Sequence, residues 1–233
     1  MPDASRIPPT TKAARSKDMA CSLWQDETEQ MRIEIVVFEG FDALDVVAPW
    51  EIFARASTTD PALEVALVRV DGPPVVSAAE GLQLHVADEV GSPDALFVPG
   101  GSWVGGTGSG VPREIRRGTL PRIIADMSGS VRWVASVCTG ALLLGEAGIL
   151  VGRNATTNPA ALEELSKYGA ILRDNRVVDD GTVVTAGAVT SGIDLALWLV
   201  QREVGAAVAN RVAQAVAYPT PTDVWQQPGQ RPN

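Results

Sequence analysis

Histidine is nearly absent from the chain, because His85 is the single imidazole among 233 residues. A metal site built from several histidines is therefore excluded, and a cysteine–histidine mechanism has one candidate base. Cysteine is equally scarce, with Cys21 in a polar segment and Cys138 in an apolar one. Pairing them would pull the polar segment into the core. We therefore expect both thiols to be reduced, which is typical of the cytoplasm.

The chain also lacks any block of Lys and Arg and any long apolar run. Its formal net charge is −9 and its pI about 4.7, which argues against nucleic acid as a partner. The apolar stretches are far shorter than a membrane span, so no membrane partner is expected. With 45% apolar residues, the composition suits a globular protein with a sizeable core.

The order of apolar patterns predicts a doubly wound α/β fold. Short β-branched runs alternate with helical patterns between residues 31 and 218, which predicts a mostly parallel sheet with helices on both faces. Residues 1–30 are polar and lack the apolar core of a signal peptide, so we expect a disordered extension. Residues 219–233 are rich in Pro and Gln and are predicted to form a flexible tail.

The segment Val131–Gly152 contains the strongest functional signal. A short apolar strand pattern leads into Ser136-Val137-Cys138-Thr139-Gly140, and a helical pattern follows over Ala141–Leu150. A Cys flanked by small residues at a strand-to-helix junction has the form of a nucleophile elbow. Free N–H groups at the start of the helix would favour the thiolate of Cys138. A buried structural Cys is the alternative, but the spacing favours a nucleophile.

An acidic residue in the first βα junction is the candidate partner of Cys138. Asp45 follows a predicted strand over residues 32–38 and precedes a helix in which Pro49 suits the first turn. Its carboxyl could point to the carboxyl end of the sheet, although local helix capping is the commoner role of Asp in this setting. His85 falls in a short strand pattern and is read as structural.

A Gly-rich loop follows the next buried strand. Gly100 and Gly101 end that strand and permit close approach of the backbone, so an N–H there could face developing negative charge. Residues 102–110 are rich in Gly and Ser, and Trp103 is their one large side chain. The loop lacks the spacing of phosphate-binding motifs. We interpret it as a lid over the site, with a disordered tip as the alternative. The next pattern, Pro112–Met127, predicts one helix.

From about Arg32 to Tyr218 the chain resembles the ThiJ/PfpI superfamily. The motifs that carry this resemblance are Leu44-Asp45-Val46-Val47-Ala48-Pro49, Phe97-Val98-Pro99-Gly100-Gly101, Ser136-Val137-Cys138-Thr139-Gly140, Ala155-Thr156-Thr157 and Thr190-Ser191-Gly192-Ile193-Asp194. The resemblance implies a flavodoxin-like fold related to class I glutamine amidotransferases. Many relatives have a Glu in the first motif and a His after the elbow, where this chain has Asp45 and Asn158.

Within the superfamily, the Asp and the elbow sequence are most similar to isocyanide hydratase. That resemblance implies a homodimer, a small-molecule substrate, and no metal or organic cofactor. It also implies that the Cys138 thiolate attacks the isocyanide carbon to give a thioimidate, with Asp45 transferring the proton and activating water. Gly101 and Thr139 would supply backbone donors, and Gly100, Trp103 and Asn158 would line the pocket. Members usually keep a His where this chain has Asn158.

Other functions stay open at this point. An amidase, peptidase or glyoxalase-type hydrolase of the same superfamily would need a His base, and His85 lies in a different segment. A redox sensor would use Cys138 as an oxidisable thiol. A lyase or hydratase of secondary metabolism could use the same site. Related domains occur in AraC-type regulators, but this acidic sequence shows no DNA-binding module.

Overall fold

The computed structural model describes residues 30–103 and 108–229. A seven-stranded sheet in the order β11-β9-β10-β6-β5-β1-β2 forms its centre. Every neighbouring pair in this sheet is parallel except β9 and β10. The predicted flavodoxin-like α/β fold with a mostly parallel sheet is confirmed.

The strands are β1 (Met31–Val37), β2 (Leu63–Arg69), β3 (Val75–Ser77), β4 (Gln83–His85), β5 (Ala95–Val98), β6 (Trp133–Val137), β7 (Asn154–Ala155), β8 (Ile171–Leu172), β9 (Val177–Asp179), β10 (Val183–Ala186) and β11 (Val224–Gln226). The helices are α1 (Ala43–Thr59), α2 (Gly110–Arg117), α3 (Thr119–Met127), α4 (Gly140–Glu146), α5 (Leu162–Lys167), α6 (Ser191–Glu203) and α7 (Ala206–Ala215). Strands β3 and β4 form a separate hairpin, and β7 pairs with β8.

The core lies on both faces of the central strands. All residues of β5 and β6 are buried, as expected of parallel strands covered by helices. Helices α1, α6 and α7 pack with one another, as do α2, α3 and α4. Phe53 of α1 meets Phe97 of β5 edge-to-face at 6.0 Å. Within the described ranges, no helix combines the length and apolar character needed to cross a membrane.

Helix α1 begins earlier than the sequence pattern predicts. Asp42 accepts a hydrogen bond from the Leu44 N–H at 3.0 Å and so caps the helix. Asp45 therefore lies in the first turn, not ahead of the helix, and Pro49 lies inside the helix, not in its first turn. Capping, the alternative role considered for Asp45, is performed by Asp42.

Two further boundaries differ from the sequence expectation. The predicted helix over Pro112–Met127 is divided by Gly118, which has a φ of +69° and closes α2 through its N–H. The elbow helix ends at Glu146, before the left-handed turn at Gly148.

The segment predicted as a flexible tail contributes a strand. Residues Val224–Gln226 form β11, which pairs with β9 at the edge of the sheet. The Asp223 carboxylate holds this strand by accepting hydrogen bonds from the Asn175 amide at 2.7 Å and the Arg176 N–H at 3.0 Å. The predicted N-terminal extension, including Cys21, lies outside the described residues, apart from Gln30.

Candidate active site

Cys138 lies directly after β6, at the carboxyl end of the parallel strands. Its φ of +55° is in the left-handed region, which costs a residue other than glycine about 1–2 kcal/mol. Gly140 makes the turn possible, because a Cβ there would lie 2.5 Å from the Val98 carbonyl oxygen. The small residues of the motif therefore let α4 start against β5 and hold the sulfur in a strained turn, as a nucleophile elbow requires.

Three donors surround the sulfur of Cys138. The Asn158 side-chain amide donates to Sγ at 3.3 Å, and the backbone N–H groups of Val189 and Thr139 also hydrogen-bond to it. The Asn158 Oδ1 accepts from the Ala160 N–H at 3.0 Å, which fixes the amide with its NH₂ group towards the sulfur. Donors aimed at sulfur stabilise a thiolate.

Asp45 is fully buried beside this sulfur. Its Oδ2 accepts a hydrogen bond from the Gly100 N–H at 3.0 Å, and the carboxyl also hydrogen-bonds with the Cys138 side chain. Burial, reinforced by repulsion from Asp42, raises the pKa of Asp45 to about 8. The carboxyl is therefore largely protonated at neutral pH and can supply a proton.

The thiol is less acidic than the helix N-terminus alone would suggest. Burial, and then the negative charge of Asp45, raise the pKa of the Cys138 thiol above its usual value. The expectation that the elbow favours a thiolate is therefore wrong for the resting protein. Desolvation and the neighbouring carboxyl outweigh the donors, so the pair is mainly protonated at neutral pH.

Two glycines follow β5, and their N–H groups donate to different side chains: that of Gly100 to Asp45 and that of Gly101 to Thr139. Gly100 must be glycine, because a Cβ there would lie 2.7 Å from the Thr139 nitrogen and 2.8 Å from Asp45 Oδ2. The Gly101 N–H, predicted to face developing charge, instead donates to Thr139 Oγ1 at 3.0 Å. The Thr139 hydroxyl in turn donates to the Gly101 carbonyl. Gly101 thus positions Thr139, and its N–H is occupied in this arrangement.

A cleft of about 200 Å³ leads to the sulfur. It is lined by Asp42, Ala79, Glu80, Gly101, Ser102, Trp103, Cys138, Thr139, Asn158, Ala160 and Val189. Cys138 is 5% exposed and so remains reachable from the cleft, whereas Asp45 lies behind it. A larger cavity of about 550 Å³ borders Thr156 and Arg176 but lacks the sulfur. The smaller cleft is therefore the candidate active site.

The sequence-predicted residues fall into three groups. Gly101, Trp103, Cys138, Thr139 and Asn158 line the cleft, with Asp45 and Gly100 directly behind it. His85 is exposed on β4 and does not line the cleft. Residues 104–107 of the predicted lid lie outside the described residues.

Sequence reasoning missed Asp42, Glu80 and Val189 as parts of the site. Asp42 is the N-cap residue of α1 and lies three residues before Asp45. An Asp just before a helical pattern is a capping signal, and this signal could have placed Asp42 at the same junction as Asp45. Val189 follows β10 and, with a φ of +27°, brings its N–H to the sulfur. Glu80 comes from the distant β3–β4 turn, and no local signal points to it.

Comparison with known proteins places this geometry in a family. The DJ-1/PfpI family model matches residues 31–202. The chain belongs to the DJ-1/PfpI family. Within that match lie Asp45, Gly100, Gly101, Cys138, Thr139 and Asn158, together with the strands that position them.

Individual relatives agree with this assignment. The chain is 37% identical over 191 residues to the isonitrile hydratase of Pseudomonas putida, covering 81% of this chain and 78% of that protein. A ThiJ/PfpI family protein from Pseudomonas syringae has a similar structure, with a TM-score of 0.72, 26% identity and coverage of 91% and 84%. An AraC family transcriptional regulator from Pseudomonas putida shares the fold, with a TM-score of 0.68, 22% identity and coverage of 80% and 99%.

Proposed function

We propose that this DJ-1/PfpI protein is a cysteine-dependent isocyanide hydratase, which adds water to an isocyanide to give an N-substituted formamide. The observation that carries the proposal is the pairing of the strained, reachable Cys138 with the buried carboxyl of Asp45. Similarity to the isonitrile hydratase of Pseudomonas putida supports the same reaction. The proposed reaction needs no metal or organic cofactor.

The first step forms a covalent intermediate on Cys138. As the bond between Sγ and the isocyanide carbon forms, protonated Asp45 gives its proton to that carbon. The thiol proton of Cys138 then replaces the proton on Asp45. The product is a thioimidate in which the former isocyanide carbon carries one hydrogen and the sulfur. A carboxyl with a pKa of about 8 suits this proton transfer at neutral pH.

The second step hydrolyses the thioimidate. Protonated Asp45 gives its proton to the thioimidate nitrogen, and the resulting carboxylate takes a proton from water as the water oxygen attacks the thioimidate carbon. The carbon–sulfur bond then breaks as Asp45 gives that proton to the departing sulfur and takes the proton of the new hydroxyl group. The thiol of Cys138 and the acid form of Asp45 are thereby restored, and the formamide leaves. The Thr139 and Val189 N–H groups and the Asn158 amide would stabilise the charge on the departing sulfur.

Formamide production from an alkyl isocyanide tests this proposal. Cys138→Ala should abolish turnover, because Cys138 supplies the only thiol among the described residues that line the cleft. Asp45→Asn keeps the shape but carries no transferable acid proton, so turnover should fall by about a hundredfold or more. Circular dichroism of each variant would verify folding. Hydration that persists in folded Cys138→Ala would contradict the mechanism.

Methylglyoxal and a peptide amide should be assayed in parallel. A glyoxalase or amidase mechanism needs a histidine base, and His85 is not among the residues that line the cleft. We therefore expect neither compound to be turned over. Turnover of methylglyoxal without hydration of the isocyanide would favour that alternative. A peroxide sensor is disfavoured, since burial raises the pKa of Cys138 and keeps the thiolate fraction low.

We also propose that the protein forms a homodimer, as the resemblance to isocyanide hydratase implies. Leu44, Val47 and Trp50 of α1 are 41%, 39% and 38% exposed and lie three residues apart, so they form one apolar strip. This α1 strip begins next to Asp42 at the cleft. A second copy seated on it would remove the strip from water.

A further inference from the structure

The walls of the cleft carry charge of one sign. Asp42 and Glu80 both line it, and none of the described lining residues is Lys, Arg or His. Residues 104–107, which continue the loop from Trp103, are Val, Gly, Gly and Thr and add no charge. Any molecule that approaches Cys138 through the cleft therefore passes two carboxylates without a compensating cation.

The fold holds these two carboxylates at the cleft. Asp42 is fixed as the cap of α1 by the Leu44 N–H. Glu80 lies in the β3–β4 turn, which is tied to the first βα junction because the Ala79 N–H donates to the Phe41 carbonyl at 2.9 Å. Both carboxylates act electrostatically on Asp45 as well. The backbone positions of both residues thus follow from hydrogen bonds of the fold, and the exposed Glu80 side chain extends from the turn that these bonds hold.

We infer that Asp42 and Glu80 are specificity residues that make the cleft a charge filter, which favours cationic over anionic compounds at Cys138. The inference rests on the proposed function for the identity of the substrate, an isocyanide whose substituent is positively charged or neutral. Trp103 lines the same cleft, and a tryptophan ring can bind an ammonium group. Carboxylates that line a cleft raise the local concentration of cations and repel anions.

The filter can be measured without any hydratase activity. Two methanethiosulfonates of similar size, one with a trimethylammonium-ethyl group and one with a sulfonatoethyl group, would be reacted with the full chain carrying Cys21→Ser. In each case the Cys138 thiolate attacks the sulfenyl sulfur, a mixed disulfide forms and methanesulfinate leaves. The ratio of the two labelling rates is divided by the same ratio for a small thiol in solution. Cys138→Ala supplies the unlabelled baseline.

The normalised ratio should favour the cationic reagent by about tenfold at low salt and approach one at high salt. Asp42→Asn keeps a capping oxygen for Leu44, and Glu80→Gln keeps the side-chain shape. Each change should lower the ratio by about threefold, because one of two charges is lost. Asp126→Asn, on the exposed face of α3 and away from the cleft lining, removes the same net charge and should leave the ratio unchanged.

Three results would overturn the charge filter. These are a normalised ratio near one in the parent protein, ratios in Asp42→Asn and Glu80→Gln that are unchanged from the parent, or a drop in Asp126→Asn as large as in those two variants. Alkyl isocyanides bearing ammonium, neutral or carboxylate ends extend the measurement to turnover, where kcat/KM should fall in that order. Labelling selectivity without isocyanide turnover would refute the proposed hydratase and keep the filter. Isocyanide turnover without labelling selectivity would support the proposed hydratase and refute the charge filter.

Discussion

Asn158 lies beside the sulfur of Cys138, at the place where the resemblance to isocyanide hydratase implies a histidine. Its side chain is held at both ends, with Oδ1 capping the turn at Ala160 and the NH₂ group donating to Cys138. An amide stabilises negative charge on sulfur but takes no proton. In the proposed mechanism, proton transfer therefore falls to the carboxyl of Asp45, and the raised pKa of that group suits this role.

Replacement of Asn158 by Asp should make the thiol harder to ionise. The carboxylate retains an acceptor for the Ala160 N–H but removes the donor to sulfur and adds a like charge, so the pKa of Cys138 rises further. The pH profile of labelling by neutral iodoacetamide should move to higher pH, and the rate at pH 7 should fall about tenfold. Asn210→Asp, on exposed α7, serves as the matched control. An unchanged profile in Asn158→Asp would contradict this role.

The sequence located the candidate side chains better than their hydrogen bonds. Cys138 and Asp45 stand out because each follows a strand of the central sheet, and parallel strands gather their carboxyl ends at one edge. The partner of the Gly101 N–H depends on where Thr139 lies after folding, 38 residues away in sequence. The thiol pKa likewise depends on burial, which no local spacing reveals.

Helix α1 has two distinct faces. Its first turn buries Asp45 next to the sulfur, and its outer face exposes the α1 strip of Leu44, Val47 and Trp50. The three apolar side chains of the α1 strip are therefore not part of the hydrophobic core of the single chain.

Val47→Glu should shift the protein from dimer to monomer. A buried unpaired carboxylate in the proposed interface would cost far more than an exposed one. Sedimentation velocity at micromolar concentration would measure the change. Val151→Glu, at a side chain that is 72% exposed outside α1, should leave the oligomeric state unchanged. A monomeric parent protein, or a Val47→Glu variant that remains dimeric, would contradict the assignment of the α1 strip.

The sequence pattern predicts which segments form helices and strands, but it does not predict all of the residues at which they begin and end. The buried runs of β1, β5 and β6 are β-branched and apolar, so the sheet centre follows from sequence. Strand β11 has no such pattern between Pro221 and Pro228, and it forms because β9 offers an open edge. Helix α1 begins after its capping residue Asp42, whereas Pro49 had suggested a later start.

At the scale of the whole molecule, the candidate site is assembled from segments far apart in sequence. The β1–α1 junction brings Asp45, the β5 end brings Gly100, the elbow brings Cys138 and the β10–α6 loop brings Val189. The β3–β4 turn adds Glu80 to the cleft. The topology was predictable from alternating elements, and the acidic character of the cleft emerged only when these segments were seen together.

The measurement that tests the central claim most directly is the mass of the protein during turnover. Wild type and Asp45→Asn would be mixed rapidly with an alkyl isocyanide, quenched in acid and analysed intact and as peptides. We predict a mass gain of one isocyanide on the peptide that contains Cys138 in the wild type, and a slower gain in Asp45→Asn because the proton that Asp45 gives to the isocyanide carbon is missing. Formamide release with no adduct on Cys138 in either protein, and undiminished in Cys138→Ala, would contradict covalent catalysis by this sulfur.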